Sequence, residues 1–116
     1  MGNNWIRLVG ATSAEAFTGN EGLLSGGDMI VATCLAAAAQ GDVSALFDLG
    51  VAYSTGGEGI ACDMIEAHKW FNLAALGGHD EAALCRADIA DEMTAREIAE
   101  AQRRAREWIA ASRKAA

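Results

Sequence analysis

The chain has 116 residues, the length of a single domain, and its 52% hydrophobic content includes much alanine and no proline, which predicts an all-α fold. A net charge of −7 makes free nucleic acid a poor partner, and no run of about eighteen apolar residues is present to cross a membrane. Three cysteines are an odd, low count that argues against a disulfide framework and fits a reducing compartment, so the expected location is cytoplasmic.

Residues 1–7 have no clear period, and the opening MGNNWIRLVGATSAEAF, with Arg7 and a broken apolar run, lacks the pattern of a signal peptide. Residues 8–41 read as a degenerate form of the unit that follows. Ala16-Phe17-Thr18 aligns with Ala52-Tyr53-Ser54, Gly19 and Gly22 with Gly56 and Gly59, and Asp28-Met29-Ile30 with Asp63-Met64-Ile65, at a spacing of roughly 37 residues. This predicts a short helix over 11–18, a glycine loop, and a second helix over 28–40. Thr33 stands in the place that Trp70 takes in the next unit, so the first unit should pack more thinly.

The central unit spans 45–78. Ala45, Leu49, Ala52 and Tyr53 fall on one face of a 3.6-residue period, with Asp42 placed to cap the first turn. Gly56, Gly57 and Gly59 end that helix. Asp63 then caps a second helix whose apolar face is Ala67, Trp70, Phe71 and Ala74, and Gly77-Gly78 stops it. Gly50, Ala67 and Ala74 are small enough to let the two helices approach closely. A hairpin with one apolar stripe per helix cannot bury both sides alone, and so needs copies stacked on it.

Ala45, Leu49-Gly50, Tyr53, Gly56, Gly59-Ile60, Asp63, Glu66-Ala67, Trp70, Ala74-Ala75 and Gly78 together resemble the Sel1-like repeat, a relative of the tetratricopeptide repeat with a longer glycine loop. The match covers one full unit. It departs from the family pattern in having two residues, Gly57 and Glu58, between Gly56 and Gly59. The resemblance implies a short right-handed α-solenoid and a role in holding other proteins. It also leaves open an exported parent, since many Sel1-like proteins are exported, and a small hydrolase, since certain Sel1-like proteins have been proposed to act on β-lactams.

After Gly78 a third first helix begins, with Asp80 as its expected cap and Ala82, Cys85, Ile89 and Met93 as one stripe. No glycine loop follows. Thr94 and Glu97 have the spacing of a capping box, and the helix from Ala95 to about Ser112 presents Ile98, Ala101, Ala105, Trp108 and Ile109 on one side. Such a helix can cap the end of a solenoid or serve as a dimer seam, so the chain is expected to be a monomer or a weak homodimer. The predicted whole is one domain of about five helices: a degenerate repeat (8–41), a full repeat (45–78), and a half repeat with a capping helix (80–116). Residues 1–93 carry 3 basic and 13 acidic side chains, whereas 94–116 carry 6 basic and 3 acidic.

Candidate chemistry is sparse. Cys62, His68, His79 and Cys85 are residue types that could bind zinc, but their C-x5-H-x10-H-x5-C spacing matches no compact finger, and neither a metal nor a cofactor is expected. Gly56-Gly57-Glu58-Gly59 lacks the Lys-Ser/Thr of a phosphate loop, and no serine sits in a hydrolase motif. The expected function is therefore non-catalytic: a protein- or peptide-binding scaffold. The alternatives are a small hydrolase or metal-binding enzyme and a structural homo-oligomer. The repeat offset places Asp48, Val51 and Thr55 of one first helix beside Cys85, Asp88 and Glu92 of the next, lining an acidic groove suited to a Lys- or Arg-bearing segment.

Overall fold

The computed structural model describes residues 26–57 and 59–115; the helix predicted over 11–18 and its glycine loop lie outside the described residues. Five helices and no strand are present among the described residues: α1 (Gly26–Ala39), α2 (Val43–Thr55), α3 (Met64–Leu76), α4 (Asp80–Ala90) and α5 (Ala95–Ala115). The described residues form an all-helical body of stacked neighbouring helices, compatible with a small helical repeat.

The helix boundaries follow from local chemistry. The Asp42 carboxylate accepts from the Ala45 N–H at 3.3 Å and Asp63 accepts from the Glu66 N–H at 3.1 Å, so both capping aspartates satisfy donors that the first turn leaves free. Gly56 ends α2 in the left-handed conformation (φ 68°) and donates to the Ala52 carbonyl. A β-carbon there would lie 2.9 Å from the Cys62 backbone nitrogen, so the turn needs glycine for space as well as for φ. The Asp63 N–H then bonds the Tyr53 carbonyl at 2.9 Å and ties the end of the loop back to α2. At α5, Glu97 N–H donates to Thr94 Oγ1 and Thr94 N–H to Glu97 Oε1, a complete capping box.

One predicted cap is corrected. α4 is capped by His79, not Asp80: His79 is in the extended conformation and its Nδ1 accepts from the Ala82 N–H at 3.1 Å, while Asp80 is the first helical residue. The histidine wins because its ring is already fixed, stacked on Phe47 with centroids 4.2 Å apart.

The helix at the centre is α3, which packs against α2, α4 and α5, while α1 packs on α2. Each face of α3 has its own composition. Ala67, Phe71 and Ala74 are buried within the core, and Phe71 lies against Gly50 of α2. Asn72 meets Arg86 of α4, whose Nη1 donates to Asn72 Oδ1 at 2.6 Å. Glu66 and Trp70 meet α5: Arg104 Nη1 bonds Glu66 Oε2 at 2.7 Å, and the Trp70 and Trp108 rings form a T-shaped pair with centroids 4.9 Å apart. Both contacts join residues 38 positions apart, so α5 runs parallel to α3 and lies where the second helix of a further repeat would lie. Trp70 is only 3% exposed and donates from its indole N–H to Glu66 Oε1 at 3.2 Å. Phe71 and Leu49 are the largest wholly buried side chains. Burial of such a residue stabilises the fold by roughly 1.5–3 kcal/mol.

Candidate functional site

The six residues expected to line a groove are not all on one accessible surface. Val51 is 2% exposed and belongs to the core, which removes it from any groove. The reason is that α2 is covered by α1 on one side and α3 on the other, so its apolar face is wider than one stripe. Asp48 is half-buried, and burial, then the nearby charge of Asp42, raises its carboxyl pKa, opposed by His79. Thr55 is exposed, but its hydroxyl donates to its own helix, to the Val51 carbonyl at 3.1 Å. Cys85 is half-buried against the core, while Asp88 and Glu92 are exposed. The Phe47 ring of α2 stacks on His79 at the start of α4.

What the structure does display is the outer face of α4. Ala82 alone is fully buried on this helix, and Arg86, its one basic residue, is turned toward Asn72 of α3. Asp80, Glu81, Asp88, Asp91 and Glu92 are all exposed along the helix and its end. Among them Leu84 is 68% exposed, with Asp80 and Asp88 one turn away on either side. The sequence stripe gave no role to Leu84; a large apolar residue off the stripe was the signal available.

A second surface lies at the other edge of α3. An open cleft of about 470 Å³ has Leu46, Leu73, Leu76, Trp108 and Ile109 as its apolar lining and Arg113 as its one charged member. Beyond Trp108 lies a polar depression of about 380 Å³ where Glu66, Lys69, Glu100, Arg103, Arg104 and Glu107 gather. Its charges are mutually satisfied. Glu100 pairs with both Arg103 and Arg104, Arg103 also pairs with Glu107, and Lys69 Nζ lies 3.5 Å from Glu66 and 4.1 Å above the Trp70 ring. Hydrogen bonds from the two arginines hold the Glu100 carboxyl down at about 2. This cluster fastens α5 to α3.

The four residues weighed for zinc are dispersed in role. Cys62 is exposed with its thiol toward the Ser54 carbonyl, His68 is buried, His79 Nδ1 is engaged in the α4 cap, and Cys85 packs on the core. Among the described residues no group of three or more His, Cys, Asp or Glu is placed to hold a metal ion. Burial pushes the Cys34 and Cys85 thiols up to about 11, with neighbouring carboxylates adding to the shift, so both are protonated at neutral pH. His68 is 4% exposed and its Nδ1 has no partner among the described residues; burial, then Arg86, lowers its pKa and keeps the ring neutral. No helix among the described residues is long and apolar enough to cross a membrane.

Comparison of the chain with protein-family models, with curated proteins and with solved structures finds no match.

Proposed function

We propose that the protein is a non-catalytic protein-binding module of Sel1-like organisation, and that the outer face of α4 takes a Lys- or Arg-bearing segment of its partner. The observation that carries this reading is Leu84, 68% exposed between the carboxylates of Asp80 and Asp88. An apolar anchor ringed by charge of one sign offers a partner both a desolvated contact and steering, which is the usual division of labour at an interface. Asp88 and Glu92 stay in the binding face as read from the sequence; Val51 leaves it, and Leu84 and Asp80 enter. The odd, low count of three cysteines favours a reducing, cytoplasmic setting.

The test is affinity capture from a lysate of the source organism with three baits: wild type, Leu84→Asp, and Asp88→Lys/Glu92→Lys. All three changed positions are exposed, so the baits should share one circular dichroism spectrum and melting temperature. A protein retained by wild type and lost by both variants supports the α4 face. Equal retention by all three, or none by any, sinks it.

A further inference from the structure

The cleft beside Arg113 shares no residue with α4 and differs from it in chemistry. Its floor is apolar, built from Leu46 of α2, Leu73 of α3, and Trp108 and Ile109 of α5. At its rim Leu76, the last residue of α3, is 67% exposed, a large apolar side chain left in water. Arg113 is exposed and makes no ion pair among the described residues, whereas Arg103 and Arg104 on the same helix are bound to glutamates. The cleft therefore presents several apolar contacts and one uncommitted cation.

We infer that this cleft is a second docking site, for an amphipathic segment of another protein that carries bulky apolar side chains and a carboxylate about one helical turn away. The apolar side chains enter between Leu76 and Trp108, where water is displaced from both, and the carboxylate pairs with Arg113, whose planar fork holds it in two hydrogen bonds. Charge decides the occupant. A basic segment would bring like charge to Arg113 and find no acid in the lining, while the exposed acids of α4 lie outside the cleft. A second copy of this chain is disfavoured, because two bodies of net charge −7 repel. The site is independent of the α4 face: either can fail while the other stands.

A random peptide library displayed on phage and panned against the full chain tests this directly. The expected result is a consensus of Leu, Phe or Trp with Asp or Glu three or four positions away. Binding of a synthetic consensus peptide should fall roughly tenfold or more in Leu76→Glu and in Arg113→Glu, and re-panning on Arg113→Glu should replace the acid by Lys or Arg. Both positions are exposed, so neither change should unfold the protein, and Arg113→Glu alone still decides the matter if Leu76→Glu proves unstable. Four results would overturn the inference: no enrichment, peptides indifferent to both variants, basic peptides lost instead on Asp88→Lys, or a dimer in light scattering that Leu76→Glu dissociates.

Discussion

Gly50 of α2 lies against the ring of Phe71 on α3, so closely that a β-carbon at position 50 would sit 2.5 Å from Phe71 Cδ1. Glycine inside a helix normally costs about 1 kcal/mol relative to alanine, yet here the contact needs it. Phe71 is 1% exposed and has nowhere to swing. Gly50→Ala should therefore destabilise by about 1–3 kcal/mol despite the better helix propensity. A lowered urea midpoint would show this; an unchanged or raised midpoint would mean that α2 and α3 can separate at little cost.

Trp70 should be the most costly aromatic to truncate. It is buried, edge-on to Trp108, and bonded to Glu66. Trp70→Ala is expected to lose about 3–5 kcal/mol, much of the roughly 5–15 kcal/mol of a typical domain. A double-mutant cycle with Trp108→Ala in urea should return a coupling of about 0.5–1.5 kcal/mol. A coupling near zero would show that α5 is held by the Glu66–Arg104 pair without help from the rings.

His68 should make the fold sensitive to mild acid. Its folded pKa is lowered below 6.5, so as pH falls through 6.5 the unfolded chain takes up a proton that the native state refuses. Stability is then fully present above 6.5 and declines as pH drops toward the folded pKa, levelling off below it. Asp48, with its raised pKa, acts in the opposite sense at lower pH, gaining stability as the carboxyl protonates. His68→Leu should flatten the first decline in urea titrations between pH 7 and 5. A slope identical to wild type would assign the decline to other groups.

The three thiols should separate in rate. Cys62 is exposed, whereas Cys34 and Cys85 are half-buried and raised to about 11, leaving on the order of one thiolate per thousand at pH 8. Iodoacetamide followed by peptide mass mapping should label Cys62 first, with the other two reacting only as the protein opens. Equal rates under native conditions would place Cys34 and Cys85 in water.

The sequence made the local features legible. Asp42 and Asp63 cap where their spacing predicts, and Thr94 with Glu97 closes a box, because a cap depends on four or five consecutive residues. The stripe Ala67-Trp70-Phe71-Ala74 is buried as read, since a helix fixes its faces by a 100° step. Rotations set by other helices were not legible. Val51 is buried although it lies off the Ala45–Leu49–Tyr53 stripe, because α2 is packed against more than one helix. Asp80 lost the cap to His79 because Phe47, 32 residues earlier, holds the imidazole. Leu76 and Leu84 are apolar residues that no stripe claims, and only the packed structure shows both facing outward.

The parallel lie of α5 along α3, fixed by Glu66–Arg104 and Trp70–Trp108, makes the chain a translational device. The 38-residue step from α3 to α5 lays the backbone alongside itself without turning it over. A duplicate of residues 42–78 spliced in before His79 would then meet the same kind of surface on both sides. It would move the α4 face and the α5 edge along together and leave each intact. Length, in such a molecule, is something gene duplication can adjust: an added unit carries α4 and α5 farther from α1 without redesigning the contacts that hold them.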